Sequence, residues 1–287
     1  MTFDRRTGWL LVMPAAVLTV VFFVAPLVYF LRFSFERPSR TSFSEPAFTL
    51  ENFARFFASP YHVGALTRTL LVAVAATALA LLLALPVAYL ITKASARTKA
   101  LLIILTVFPL LVGNVVRSIG WVALLGYSGV VNTVLTAVGL LDAPVELLRT
   151  ATTVTVAITS VVLPLMVLTL QASLESVDPN TERAALDLGA RPARVFRQIV
   201  LPQIVPGIAA GTSLVFVLCI NAYATPRLVG GTQVPMLAPV VYDTISADNN
   251  WPFGASMAAL MLVVSLAVVL LYGRLLRRQF EGWRVAR

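Results

Sequence analysis

Long apolar runs without charged residues dominate this sequence and decide which solvent the chain meets. A helix needs about 20 apolar residues to cross the hydrocarbon core of a bilayer. Only 12% of the residues are charged, about half the share of an average soluble domain. The sequence therefore predicts an all-α integral membrane protein, folded as a single transmembrane domain over 1–287. The six predicted spans lie at about 9–31, 69–91, 100–125, 150–174, 203–225 and 253–273.

The first apolar run lies close to the N-terminus, where a cleaved signal peptide is also found. Its uncharged stretch from Trp9 to Leu31 is longer than the roughly 7–15 residues of a signal peptide's apolar core. No clear small-residue cleavage site follows before Arg32. We therefore expect this run to be a retained span.

Basic residues indicate which span ends face the cytoplasm, because cytoplasmic loops carry an excess of lysine and arginine. With the N-terminus inside, the inner segments hold most of these residues, including a short loop at 92–99 and a C-terminal cluster from Arg274 onward. The outer loop at 34–67 also contains arginines and weakens the bias. We expect both termini inside. The net charge of +9 then reflects topology and not a nucleic-acid partner.

The sequence offers little for catalysis or metal binding. Its single cysteine, Cys219, lies in an apolar run, and its single histidine is His62, so neither a disulfide nor a Cys/His cluster can form within the chain. Zinc-protease, nucleophile-elbow and phosphate-loop motifs are absent from the sequence. We expect no enzyme activity, metal or cofactor in this chain.

The inner loop at 175–202 carries the strongest local signals. Asp178 is a suitable N-cap for a helix, and Pro179 suits the first helical position, where its missing N–H costs nothing. Gly189 ends the helix, because glycine tolerates a left-handed conformation. Pro192 starts a second helix, which we expect Leu201-Pro202 to close before the fifth span.

Small side chains on one face of the first loop helix would let another surface approach closely. That face holds Thr181, Ala184, Ala185 and Leu188 at helical spacing. The residues by themselves leave two interpretations open, a docking surface for a partner or an amphipathic hairpin on lipid headgroups.

The run Arg183-Ala-Ala-Leu-Asp-Leu-Gly-Ala190, with a later Leu-Pro pair, resembles the EAA loop of ABC importer permeases. In that family the loop docks on an ATP-binding subunit. Arg183 stands where the family has glutamate, and Glu182 is the candidate replacement. The coupling residues implied by this resemblance are Glu182, Arg183, Ala184, Ala185, Asp187, Gly189, Ala190, Leu201 and Pro202.

The resemblance extends over most of the chain. Segments 121–132, 225–231 and 250–255 are similar to spermidine/putrescine-type permeases. This implies a six-span type I importer fold in the bacterial inner membrane and half of a translocation pathway for a small polar solute, a polyamine or related amine being the best candidate. It also implies the following partners: an ATP-binding cassette ATPase dimer that binds ATP and magnesium, a second homologous permease in a heterodimer, a periplasmic substrate-binding protein, and membrane lipids.

An ATP-independent secondary transporter or channel subunit is the alternative function. Coupling to protons or sodium usually needs acidic residues inside the membrane, and no aspartate or glutamate falls within the six predicted spans.

Polar residues in or beside the spans are candidates for the substrate path, because they avoid lipid. For Arg117 we expect a structural role, because it would repel a cationic substrate. For Asn221 and Tyr223, near the outer end of span five, we expect interhelical hydrogen bonds. The acid and aromatics before span six suit either a cation or contact with the binding protein. The candidate residues of the substrate path are Arg117, Asn221, Tyr223, Tyr242, Asp243 and Trp251.

Overall fold

The computed structural model describes residues 13–39 and 43–285, and from residue 275 onward it describes the backbone only. Helices account for most of the described chain. Among these residues the only β-type pairing is an antiparallel bridge between Arg37 and Glu45. The helices are α1 (Met13–Phe33), α2 (Glu51–Ala58), α3 (Pro60–Lys93), α4 (Ala96–Leu111), α5 (Asn114–Leu125), α6 (Val130–Ala137), α7 (Ala151–Glu175), α8 (Pro179–Asp187), α9 (Pro192–Ile220), α10 (Leu237–Ser246) and α11 (Trp251–Val285).

Six segments of the described chain are long and apolar enough to cross a membrane, which confirms the predicted number of spans. The predicted start of the first span, at 9–12, lies outside the described residues, as do the side chains of most of the C-terminal basic cluster. The six segments are α1, α3, the α5–α6 segment Asn114–Ala137, α7, α9 and the Trp251–Arg274 part of α11.

The third span differs from the predicted continuous helix at 100–125. The helix α4 ends at Leu111 and α5 begins at Asn114, with extended backbone at Gly113 (ψ 145°). Two residues explain the break. Pro109 has no N–H and leaves a carbonyl of α4 without a donor, and Gly113 loses more entropy in a helix than other residues do.

The expected end of a helix at Leu201-Pro202 is also wrong. The backbone continues as one helix from Pro192 to Ile220 and passes through a π-helical turn at Phe196–Val200. In this turn Leu201 donates its N–H to the carbonyl of Phe196, five residues back. The wider turn accommodates Pro202, which has no N–H of its own to donate.

The described chain forms two compact units. One contains residues up to Val63 with Val240–Val263, and the other contains Gly64–Pro239 with residues from Val264 onward.

The smaller unit contains a buried polar network in the outer loop. The Asn52 amide donates to the carbonyls of Ser34 (3.0 Å) and Glu36 (2.8 Å). The Glu36 carboxylate accepts from Arg32 at 2.7 Å and from Ser44. The network satisfies polar groups that would otherwise be costly to bury.

The larger unit packs through small residues. Alanines recur on the buried face of α3, and glycines of α9 lie against α7. Gly211 is so close to α7 that a Cβ there would meet the Met166 sulfur at 3.1 Å. Small side chains allow this close approach in membrane helices. The fully buried alanines of α3 in this unit are Ala65, Ala73, Ala76, Ala80, Ala84 and Ala88.

Candidate functional site

The helix α8 has the ends that the sequence predicts. The Asp178 carboxylate accepts from the Asn180 backbone N–H at 2.9 Å, and Pro179 is the first helical residue. At the other end Gly189 has a φ of +83°, and the Ala190 N–H returns to the Ala185 carbonyl at 3.1 Å. This is the hydrogen-bond pattern of a glycine-terminated helix.

The outward surface of α8 combines apolar and charged side chains. Leu188 is 89% exposed and Leu186 is 44% exposed. Arg183, Ala184 and Asp187 are also exposed. Leu186 near the end of α8 and Leu188 directly after it are thus exposed apolar side chains among charged and small ones, on a helix whose two ends are capped. We call these five residues the coupling surface.

Glu182 does not belong to the coupling surface, because its side chain turns toward the same chain. Its Oε2 lies 2.5 Å from Lys93 Nζ, and the carboxylate side chain is only 14% exposed. A second ion pair joins Glu175 Oε1 and Lys99 Nζ at 2.7 Å. Sequence reasoning used both lysines only as signs of topology and missed these contacts.

The remaining predicted coupling residues are less exposed. Ala185 within α8 and Ala190 shortly after its end are half-buried. Leu201 and Pro202 are half-buried within α9, immediately after the π-helical turn. The structure therefore separates the Leu-Pro pair from the coupling surface.

A second feature is a cavity of about 530 Å³ in the larger unit, between α5, α7 and the end of α9. Its walls include Ile158, Val162 and Leu165 of α7. Three predicted path residues line it together, namely Arg117, Asn221 and Tyr223. A mostly apolar cavity with a few convergent polar groups is a typical site for a small solute.

Arg117 is the charged residue among those that line this cavity. It donates from Nη2 to Asn114 Oδ1 at 2.5 Å. Its Nε and Nη1 are buried without a hydrogen-bond partner in the described part of the chain. The Asn221 amide donates to the Val217 carbonyl of its own helix at 2.8 Å, and its interhelical role stays a prediction.

Sequence reasoning missed other polar residues of the cavity. Asn114 is the first residue of α5 and Thr225 pairs with Ser118 at 3.0 Å. The signal for Asn114 was the helix break after Pro109 and Gly113, which the prediction of a continuous third span concealed.

The other three predicted path residues lie in the smaller unit and are not among the residues that line the cavity. Trp251 donates from Nε1 to Asn249 Oδ1 at 3.2 Å, and its ring packs edge-on against Phe43 with centroids 5.1 Å apart. Tyr242 is exposed and Asp243 is half-buried on α10. The predicted path residues therefore form two groups.

Comparison with known proteins gives a consistent result. Residues 146–281 match the family model described as "Binding-protein-dependent transport system inner membrane component". The spermidine/putrescine transport system permease protein PotB of Haemophilus influenzae is 30% identical, over 91% of this chain and 93% of its own. The inner membrane ABC transporter permease protein YdcU of Escherichia coli is 34% identical, over 81% of this chain and 76% of its own.

A solved structure has the same fold. One chain of a bacterial alginate ABC transporter, in complex with an alginate pentasaccharide-bound periplasmic protein, superposes with a TM-score of 0.80. The match covers 95% of this chain and 96% of that one at 18% sequence identity.

Proposed function

We propose how this chain works as a member of the family to which it belongs, the binding-protein-dependent transport system inner membrane components. As a member it is a multi-pass inner-membrane permease subunit of an ABC importer. In our proposal it forms half of a translocation pathway for a small amine, a polyamine first, and a separate ATPase drives it. The family gives no support to the alternative of an ATP-independent transporter.

The observation that carries the proposal is the coupling surface. Leu186 and Leu188 are exposed on a helix whose two ends are fixed by Asp178 and Gly189. A pre-formed helix loses little conformational entropy when a partner binds, so more of the contact energy appears as affinity. An ATP-binding cassette ATPase is the partner that fits an importer permease.

The charges of α8 and of the start of α9 indicate which charges the docking surface of the ATPase should carry. Arg183, Arg191, Arg194 and Arg197 are all exposed along α8 and the start of α9. Complementary charge steers a partner and sets its register. The ATPase cleft should therefore be apolar at its centre, where Leu188 enters, and acidic at its rim.

The same proposal assigns tasks to the other partners. Two ATPase subunits bind ATP and magnesium, and this chain converts their closure into movement of its spans. A second, homologous permease completes the pathway as a heterodimer. A periplasmic binding protein delivers the solute, as the periplasmic protein in the alginate transporter structure suggests by analogy.

The cavity is the proposed entry to the pathway. Carbonyl, amide and hydroxyl oxygens of Asn221, Tyr223 and Thr225 are acceptors that an ammonium group needs. The positive charge of Arg117 repels a cation that stays in the cavity. A pathway must release its cargo, so a site that solvates an amine without holding it tightly suits transport.

The test is reconstitution. The tagged chain should co-purify with an ATPase and a second permease, and proteoliposomes containing the complex should take up spermidine or putrescine only with ATP and the cognate binding protein. Uptake without ATP would contradict the mechanism. ATP-dependent uptake of a different solute offered in the same panel would keep the mechanism and replace the polyamine.

A further inference from the structure

Two lysines flank the short turn between α3 and α4, Lys93 as the last residue of α3 and Lys99 in the first turn of α4. They reach different parts of residues 175–202, which we call the coupling segment. Lys93 pairs with Glu182 in the first turn of α8, at 2.5 Å. Lys99 pairs with Glu175, the last residue of α7, at 2.7 Å. We call residues 93–99 the lysine turn. It contacts the coupling segment on both sides of the α8 N-cap.

The first of these ion pairs is partly removed from water. The Glu182 side chain is 14% exposed and that of Lys93 is 43% exposed. Fully exposed pairs contribute little, whereas a desolvated carboxylate depends on its partner. Lys93 therefore holds Glu182, and with it the start of α8, in place.

The second pair has additional support. Glu175 Oε1 accepts from Gln171 Nε2 at 2.8 Å as well as from Lys99. A carboxylate with two donors has fewer orientations open to it than one with a single donor. The end of α7 is thus fixed against the lysine turn.

The last turns of α3 also contact α9. The Tyr89 ring packs edge-on against Phe196 in the π-helical turn, with centroids 5.2 Å apart. Lys93 Nζ lies 5.5 Å from the centroid of the Tyr89 ring, within the range of a cation–π contact. One end of α3 therefore touches α8 through Lys93 and α9 through Tyr89.

We propose that Lys93 and Lys99, at the two ends of the lysine turn, form a second coupling element, in which Lys93 is a positioning residue that links α8 to the α3 span. This inference rests on the proposed function, because it requires an ATPase that moves α8. Movement of α8 then passes through Glu182 and Lys93 directly into α3. The route adds to the covalent connections of α8 to α7 and α9.

The link gives two adjacent residues different tasks. Glu182 faces the lysine turn, whereas the Arg183 side chain is exposed on the coupling surface. Loss of the Arg183 charge should weaken ATPase docking. Loss of the Lys93 charge should leave docking intact and reduce the transport obtained from each ATP.

The experiment compares variants of the full chain, assembled with its partners in proteoliposomes, by spermidine uptake per ATP hydrolysed. Lys93→Gln and Glu182→Gln should each lower this ratio by about three- to tenfold, between the effects of losing an exposed and a buried ion pair. The double variant should be no worse than either single one. Exchange of the charges, Lys93→Glu with Glu182→Lys, should recover most of the ratio.

Arg97→Gln is the matched control, because it removes one positive charge from an exposed position on the same turn. It should leave the ratio unchanged. Independent, additive losses in the double variant would overturn the link. So would loss of ATPase co-purification in Glu182→Gln but not in Lys93→Gln, since Glu182 would then act on the partner itself. If the wild-type chain brings down no ATPase, the proposed function fails and this inference fails with it.

Discussion

Gly207 of α9 lies directly against the Ser173 side chain of α7, and a Cβ at Gly207 would overlap both Cβ and Oγ of that serine. Ser173 lies just before the coupling segment at 175–202, so the contact holds α9 against the end of α7 beside that segment. No flexible side chain end is available to move aside, because the overlapping atoms are close to the backbone.

Gly207→Ala should therefore destabilise the packing of α7 on α9 by about 1–3 kcal/mol, the usual range for overpacking. Thermal unfolding in detergent, followed by size-exclusion chromatography, measures this loss. Combining it with Ser173→Gly should restore stability. Gly64→Ala is the control, since a Cβ there meets nothing within 4 Å. Equal stability of the Gly207 and Gly64 variants would contradict the packing described.

Substitutions at Gly189 test the effect of its backbone conformation separately from the space available for a side chain. Its φ is +83°, yet a Cβ would meet nothing within 4 Å. Gly189→Val should strain the end of α8 and uncouple ATP hydrolysis from transport, at a cost of about 1–2 kcal/mol. Gly189→Asn should be tolerated, because asparagine enters this region more readily. The ratio of transport to ATP hydrolysis distinguishes them, and normal coupling in the valine variant would refute the helix-end geometry.

Leu188 tests docking without testing the fold. The side chain is 89% exposed, so Leu188→Ser should leave thermal stability unchanged. Loss of its burial in the ATPase cleft should weaken the complex by about 1.5–3 kcal/mol, or roughly ten- to a hundredfold in affinity. Titration of the purified ATPase onto the detergent-solubilised permease pair measures it. Leu140→Ser, which changes another leucine 70% exposed outside the coupling surface, should have no effect. Full affinity in the Leu188 variant would exclude the coupling surface as the dock.

Arg117 tests the charge of the cavity. If this guanidinium repels the cargo, Arg117→Gln should favour spermidine over putrescine, because spermidine carries one more positive charge. The relative uptake rates should change by up to about fivefold, as expected for about 1 kcal/mol of repulsion per charge at close range. Competition uptake in the same proteoliposomes measures the ratio. A purely structural role predicts that both rates fall together and the ratio stays constant.

The predictable parts of the fold follow from local signals. Apolar runs of about 20 residues have few alternatives to spanning the bilayer, so the number of spans could be predicted from the sequence. The ends of α8 could be predicted for a similar reason, because Asp178, Pro179 and Gly189 act on the backbone within a few positions.

The unpredicted parts depend on backbone detail or on distance along the chain. Hydropathy does not register the break at Gly113 or the π-helical turn after Val195, since neither changes the apolar content. Lys93 and Glu182 are 89 positions apart, and charge patterning alone does not pair residues so distant. The cavity was foreseen only in part because Asn114 becomes a helix start only once the third span breaks.

The π-helical turn at Phe196–Val200 inserts extra backbone into an otherwise regular helix. On a helical wheel, one extra residue rotates everything that follows by about 100°, since an α-helix has 3.6 residues per turn. The residues of α9 before the turn and those after it therefore follow two helical wheels that are rotated relative to each other. A cysteine-accessibility scan along 192–220 should show one periodicity before residue 196 and a shifted one after residue 200, and a single wheel drawn through both would assign the wrong residues to the pathway.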